Sequence, residues 1–489
     1  PRPLYWLPFA SILAGMSMTL FNAPYNYLVA QLPFIGLAWM AGMLGFWIGY
    51  KLGKTSRHAW MGGLLTLFSG FYARYWGVID GFAPYAVVGA GALIAMGIAL
   101  ERDSIRQKMM WWFIARVLSG FGHLTRADGL LLLMVGVFLL LFSLTSPLNP
   151  PSILERGLLL TRKIRFLPLL HVGEGGRGDE VQKNHHSYKL RLIMMLIMGY
   201  LVVMGGWFIR NLTEIGTPLA LGGTQGIWYR EYDDLFAYPP VNTPQTFFED
   251  GAGVLFESRW TAFIQNMLTF IAVQGMILMT PFMCLALYKR RKDRFLWAFA
   301  LYAVGLHLLM TLVFPYPGYR GGLLHSAIAL IPFWGVLGVL GIDDVVEWIS
   351  ARLDHWKPIR TKRIFSVGLF GLALILTLSV SLPTRNVPNT PRFYMQLREN
   401  LPSDAVVMIN DPTGLYYHTS LNGVVIPNAD VTVIPEIATR YDVTHLVVET
   451  FSDSIAVPQK FIFDLDNPPP FLIPIATSVS GAIIYEIRP

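Results

Sequence analysis

Residues 82–100 read FAPYAVVGAGALIAMGIAL, nineteen positions without a charged side chain. About 20 apolar residues wound as a helix span the hydrocarbon core of a bilayer. Inside lipid, a helix or a closed barrel is needed to satisfy the backbone's own polar groups. Nine further segments of the same character lie around this one, at 27–50, 59–73, 110–125, 129–146, 192–209, 262–288, 295–314, 323–342 and 364–382. The sequence therefore predicts an all-α polytopic membrane domain of about ten transmembrane helices. Composition agrees, since the 489 residues are 54% apolar and only 14% charged, with a mean hydropathy of +0.47. A soluble domain carries about 25% charged residues. The single cysteine, Cys284, excludes an internal disulfide framework and a cysteine metal site. The chain opens on Pro1 with no basic n-region and cleavage site, so we expect a fragment lacking its natural N-terminus.

Threading the ten spans alternately puts loops 51–58, 101–109, 147–191, 289–294 and 343–363 on one side. Those 89 residues hold 24 Lys or Arg, against 7 in the 97 residues of the opposite loops, with the C-terminal tail left aside. By the positive-inside rule the basic side is cytoplasmic, so the segment 210–261 and the C-terminal tail are expected outside. The net charge of +7 is thereby accounted for by orientation and anionic lipid. No nucleic-acid partner is expected, as no RNA- or DNA-binding motif accompanies the charge. Within 147–191, the glycine-rich stretch Gly173–Gly178 lacks the Gly-Lys-Ser/Thr of a phosphate loop, and His185-His186 lacks metal-ligand spacing. That stretch reads as a flexible cytoplasmic linker.

From Pro383 the composition becomes that of a soluble domain, 107 residues long. Helices are expected at Arg392–Asn400 and Pro435–Tyr441. Strands are expected at Ala405–Ile409, Gly423–Ile426, His445–Glu449, Phe471–Ala476 and Ala482–Ile487. The alternation predicts a small extracytoplasmic α/β domain over 383–489, beside a membrane domain over 1–382.

Charged residues at the outer ends of spans are the informative ones, because each must meet water, a partner or a ligand. Arg126, Arg210 and Arg320 end three different helices on that side. Guanidinium forks suit phosphate oxygens and hold their charge, so these three, with His325 one turn into the next span, are candidate phosphate-binding residues. Snorkelling to the interface, or pairing with Asp128, would also account for such arginines. Asp80 and Asp128 are candidate acids, where a carboxylate could accept a proton from an attacking hydroxyl; a cap for Asp80 and a partner for Arg126 are the plainer readings. Tyr5, Trp6, Tyr75 and Trp76 could stack on a sugar or an acceptor, or belong to an aromatic belt. No metal site is expected, and Asp233-Asp234 does not supply a calcium loop.

Taken in order, Tyr5-Trp6-Leu7-Pro8-Phe9, Asp80-Gly81-Phe82-Ala83-Pro84, Leu124 to Gly129, Trp207 to Asn211 with Gly216 to Pro218, Leu401 to Asn410 and Tyr416-Tyr417-His418 resemble the GT-C class of membrane glycosyltransferases. The resemblance is to the branch holding protein O-mannosyltransferases and lipid A aminoarabinose transferases. It implies a multi-pass enzyme of the plasma membrane that moves a sugar, with inversion, from a polyprenyl-phosphate donor to a protein, lipid or glycan acceptor outside. It implies no required cofactor, and leaves metal dependence open. It also implies a main catalytic acid in the first outer loop, which would fall upstream of Pro1. Ten spans alone would also fit a transporter or flippase of lipid-linked substrates, although the repeat symmetry and midplane charges of such proteins are little in evidence. A non-enzymatic envelope protein with a partner-binding tail is the third reading.

Overall fold

The computed structural model describes residues 7–145, 197–219, 226–231, 233–239, 243–249, 251–353, 357–382, 390–449, 461, 463–465, 467–477 and 482–488. Tyr5, Trp6 and the linker 147–191 lie outside the described residues. The membrane part runs α1 (Phe9–Leu20), α2 (Tyr27–Gly53), α3 (Ser56–Leu67), α4 (Phe82–Glu101), α5 (Ile105–Thr125) and α6 (Leu130–Thr145). It continues with α7 (197–215), α8 (Pro244–Glu249), α9 (Gly251–Leu268), α10 (Thr280–Lys289), α11 (Arg294–Val313), α12 (Pro315–Ser350) and α13 (Pro358–Ser381).

Among the described residues, five of these helices, α2, α4, α11, α12 and α13, are long and apolar enough to cross a membrane. The other expected spans are helical in part but differ in detail. At 12 residues, α3 rises only about 18 Å. α5 carries Arg106, Lys108 and Arg116. The segment 262–288 divides, because α9 passes into a π-helical turn at Thr269–Gln274 and a bend with positive φ at Met276 and Ile277 before α10 begins. α9 starts at Gly251, inside the expected outer loop 210–261. α1 is an apolar helix outside the ten segments.

α4, and α12 between Ala327 and Ile342, are apolar on every face, and a helix of that kind belongs at the centre of a bundle. Both are 89% buried over their apolar windows, whereas α13 is 17% buried and turns most of its surface outward. At one end of the bundle the loops are tied by charge. Lys51 Nζ lies 2.7 Å from Glu101, and Arg290 Nη1 lies 2.7 Å from Asp344. Arg57 and His58 both reach the Asp343 carboxylate, while Arg57 Nη1 also donates to Ser366 Oγ at 2.7 Å. Lys362 pairs with Glu347. Loops 51–58, 101–109, 289–294 and 343–363 thus meet at the same end.

Beyond α13, α14 (Thr390–Asn400), α15 (Pro412–Thr419) and α16 (Ile434–Tyr441) accompany a five-stranded sheet. Its strands are β1 (Val406–Ile409), β2 (Asn422–Val425), β3 (His445–Val448), β4 (Leu472–Thr477) and β5 (Ile483–Ile487), in the order β2-β1-β3-β5-β4. β1 pairs in parallel with β2 and β3, while β5 is antiparallel to β3 and β4. Strand order reverses at β1, since α15 leads to β2 on one flank and α16 leads back to β3 on the other. The segment after α7 joins this domain through a bridge between Ala237 and Asn428, and Tyr238 Oη donates to Glu436 Oε1 at 2.6 Å.

Candidate functional site

The end of the bundle opposite the ion-paired loops gathers the turn before α4, the turn between α5 and α6, and the first part of α12. A 3₁₀ turn, Gly70–Tyr75, leads to Asp80. It is held by Tyr72 Oη donating to Leu324 O at 2.8 Å and by Gln31 Nε2 donating to Gly77 O at 2.7 Å. Asp80 Oδ1 accepts from the N–H of Gly81, and Oδ2 stands 3.7 Å from His325 Nδ1. The Asp80 side chain is 39% exposed. The turn that carries Arg320 leads into His325, and Gly321 there has φ 135°, which a side chain would strain.

Behind Asp80 lies a closed polar triangle. Arg126 leaves α5 in an extended conformation, and its Nε donates to Asp128 Oδ1 at 3.1 Å and to Ser326 Oγ at 2.9 Å. Ser326 Oγ in turn donates to Asp128 Oδ2. A side chain at Gly129 would run into the backbone of Gly122 and His123, so glycine lets the Arg126–Asp128 turn lie flat on the end of α5. Deeper still, Tyr85 and Tyr302 share a 2.8 Å hydrogen bond, and Tyr302 Oη donates to Ser326 O at 3.4 Å.

In front of the triangle opens a cleft of about 370 Å³ lined by Arg74, Tyr75, Val78, Asp80, Phe82, Leu324 and His325. Three rings form one wall. Tyr75 stacks on Phe82 with centroids 4.3 Å apart, and Phe82 stacks on His325 at 4.0 Å. The Arg74 guanidinium lies over the Tyr75 ring at 5.1 Å. The cleft therefore offers a guanidinium, a partly exposed carboxylate, an imidazole and an aromatic surface. Such a set can bind a phosphate and cover the apolar face of a sugar.

Of the residues singled out in the sequence, Tyr75, Asp80 and His325 line this cleft, and Arg126 with Asp128 lies immediately behind it. Arg210 and Arg320 do not line it. Arg210 stacks on Trp207 at 4.6 Å and donates to Asn211 Oδ1 at 3.0 Å; Arg320 is exposed, and its charge acts on Tyr316 and Tyr319. Trp76 is a core residue with its Nε1 donating to Leu67 O at 3.0 Å, so it offers no stacking face to the cleft. Arg74 was passed over in the sequence, although it adjoins Tyr75-Trp76 in the same short outer stretch. Ser326 and the Tyr85–Tyr302 pair carried no signal, because small and aromatic residues within a span are ordinary packing elements. Among the described residues no group of three or more His, Cys, Asp or Glu could hold a metal ion.

Aligned over 99% of its length, the chain superposes on 88% of the crystal structure of ArnT from Cupriavidus metallidurans bound to undecaprenyl phosphate, with a TM-score of 0.51 and 12% sequence identity. The chain has the fold of ArnT. The apo state of ArnT, matched over the same shares of both chains at 12% identity, gives a TM-score of 0.52. An Archaeoglobus fulgidus oligosaccharyltransferase, in complex with Zn and sulfate, is matched over 90% of this chain and 59% of its own, with a TM-score of 0.51 and 12% identity. The resemblance read from the motifs is thus met at the level of fold, which the chain shares with ArnT and with the oligosaccharyltransferase, while the particular branch is a finer question. No protein-family model matches the sequence, and no curated protein matches it.

Proposed function

We propose that this protein is a membrane glycosyltransferase that moves a sugar from a polyprenyl-phosphate carrier to an acceptor on the extracytoplasmic side, with inversion. The observation that carries the reading is the cleft that combines Arg74, Asp80 and His325 with a three-ring wall, in a chain with the fold of ArnT. Orientation follows from charge. The basic loops tied together by Arg57–Asp343 and Arg290–Asp344 face the cytoplasm, and the cleft and the domain over 383–489 face outward, with about ten spans over 1–382.

A lipid-linked donor keeps its tail among helices, so its phosphate stops at the interface. Arg74 and His325 receive that phosphate at the cleft, with the charge of Arg126 behind them. Arg210 and Arg320 bear on the donor from the rim of the same outer end. As the sugar departs, negative charge grows on the phosphate oxygens, and guanidinium groups already fixed by Tyr75 and Asp128 stabilise it without rearranging. Asp128 is held by two partners and keeps Arg126 in place. Asp80, at the opening, orients the acceptor; the main catalytic acid, which the resemblance puts in the first outer loop, is assigned to neither carboxylate. ArnT was crystallised with undecaprenyl phosphate, and a polyprenyl phosphate is the natural carrier to try here.

The test is sugar transfer from undecaprenyl-phosphate donors by the full-length protein in proteoliposomes. Arg74→Ala is expected to lower kcat by about 10²-fold or more, the usual cost of losing one preorganised charge-stabilising donor. Transfer unchanged in that variant would overturn the phosphate role.

A further inference from the structure

The end of the bundle away from the cleft carries a surface of different chemistry. α10 and α12 finish side by side there, joined at Asp344, whose carboxylate lies 2.7 Å from Arg290 Nη1 and 3.5 Å from Lys289 Nζ. Each of the two helix ends lays an arginine over an exposed ring. The guanidinium of Arg291 lies 4.3 Å from the centroid of Tyr288, and that of Arg352 lies 4.0 Å from the centroid of Trp348. In both pairs Nη1 also donates to the carbonyl of the ring-bearing residue at 2.9 Å, so the last turn of the helix fixes the guanidinium. Tyr288 is 64% exposed and Trp348 58%. Residues four apart on a helix share a face, so Trp348 stands one turn beyond Asp344 on the side of α12 that meets α10. The two pairs therefore lie on one edge of the bundle.

Acids do not neutralise this edge. The run Lys289-Arg290-Arg291-Lys292-Asp293-Arg294 holds five cations and one carboxylate. Asp344 is taken by Arg290 and Lys289, Asp293 accepts from Phe295 N at 3.0 Å as the cap of the next turn, and Glu347 pairs with Lys362. Among the described residues no acid pairs with Arg291, Lys292, Arg294 or Arg352, all of them exposed. A cationic edge at the point where apolar helices leave a bilayer attracts acidic headgroups, and exposed Trp and Tyr mark the same level. On α10 the exposed Cys284 lies one turn before Tyr288 on the same face, so a lipid-facing surface leads up to the ring.

We propose that this edge binds the headgroup of an anionic phospholipid in the leaflet around it, with the Arg291 and Arg352 forks on the phosphate, Lys292 and Arg294 adding charge, and Tyr288 and Trp348 beside the glycerol and the first acyl carbons. Guanidinium forks match phosphate oxygens in a bidentate manner. A zwitterionic choline lipid brings a phosphate but also an ammonium group, which a cationic edge repels. Free phosphate lacks the acyl chains that the rings and the lipid-facing side of α10 receive. Because the chain bends at Met276 and Ile277 before α10 begins, a headgroup shared by α10 and α12 secures α10 to the centre of the bundle. The site uses no residue of the membrane cleft, so it stands or falls apart from sugar transfer.

Thermal stability of the full-length protein in detergent micelles provides the test, with phosphatidylglycerol, phosphatidylcholine and inorganic phosphate titrated separately at constant ionic strength. Phosphatidylglycerol should raise Tm saturably, and the other two should not. Combining Arg291→Gln with Arg352→Gln should raise the apparent Kd for phosphatidylglycerol about tenfold or more, as two charges at the membrane surface are lost. Arg360→Gln with Arg363→Gln removes two exposed charges from the start of α13 instead, and should leave that Kd within about twofold of the parent. Native mass spectrometry of the same variants counts retained phosphatidylglycerol whatever their Tm, and should show fewer lipids on the R291Q/R352Q protein alone. The proposal is overturned if phosphatidylglycerol gives no saturable response, if phosphatidylcholine or inorganic phosphate acts as strongly, or if R291Q/R352Q binds like the parent. Equal weakening in the two double variants would also overturn it, since the attraction would then be spread over the whole basic end.

Discussion

At the residue scale, the charges at the membrane cleft have named partners, since Arg74 lies over Tyr75 and Arg126 pairs with Asp128. Glu449 gives a pH prediction whose sign follows from its environment. Its carboxyl titrates higher in the folded protein than in the unfolded chain, so its contribution to stability is complete below the ordinary carboxylate pKa and is lost as pH rises through the raised value. Burial raises it first, and the charge acting on it is that of Asp411, two residues beyond β1; burial and Asp411, then Glu449 itself, push the Tyr394 hydroxyl of α14 upward. Tm of the parent should fall between the ordinary carboxylate range and neutral pH more steeply than Tm of Glu449→Gln. Parallel pH profiles would remove Glu449 as the cause. Part of the membrane site was legible at this scale. Asp80, Arg126, Asp128 and His325 were visible because a charge beside an apolar run needs a reason. Ser326, which closes the triangle between Arg126 and Asp128, looked like any small residue of a span. Trp76 looked like an interfacial ring and proved to be core, since sequence alone does not say which way a ring beside a turn faces.

At the scale of elements, the turn between α5 and α6 shows how backbone decides chemistry. Gly129 lets that turn rest on the backbone of Gly122 and His123, which sets Arg126 and Asp128 against Ser326. Gly129→Ala forces backbone apart where no flexible side chain can yield. We expect a loss of about 1–3 kcal/mol, read as a lower Tm, and a fall in sugar transfer because the guanidinium is displaced. Unchanged Tm and transfer would mean that the turn tolerates a Cβ and that its glycine is incidental. The strands and helices of the second domain were largely legible from alternation, with bounds that differ by a residue or so. α15 was not, although Asp411-Pro412 marks its start: Asp411 accepts from Gly414 N as the cap, and Pro412 takes the first helical position. Short helices carry too few apolar repeats to announce themselves by period. The break in the segment 262–288 was hidden for the opposite reason, because an apolar run continues through the π turn at Thr269–Gln274 and the bend at Met276 and Ile277.

For the whole molecule, the decisive feature is that positive loops converge at one end of the bundle and the cleft opens at the other. The expected sidedness is directly checkable. In a Cys284→Ser background, Lys292→Cys lies in the loop beside Asp344 and Thr439→Cys lies on α16 of the second domain, both exposed. A membrane-impermeant maleimide should label Thr439→Cys in intact cells and Lys292→Cys only after the membrane is opened. The reverse pattern would turn the proposed topology over and place the cleft in the cytoplasm. Composition and the charge asymmetry were enough to anticipate a polytopic bundle with a small α/β domain. The bundle's packing was not legible, because a residue facing lipid and one facing another helix are equally apolar; burial of α4 and α12 at the centre and exposure of α13 emerge only in three dimensions.

The central claim is that the outer cleft receives the phosphate of a polyprenyl carrier. Titration of undecaprenyl phosphate into the purified full-length protein in nanodiscs, followed by tryptophan fluorescence, measures this without knowledge of the sugar or the acceptor. Saturable binding by the parent, weakened about tenfold or more in Arg74→Ala by loss of a charge-assisted contact, is the predicted result. Absence of saturable binding, or identical affinity in the parent and the R74A variant, would contradict it.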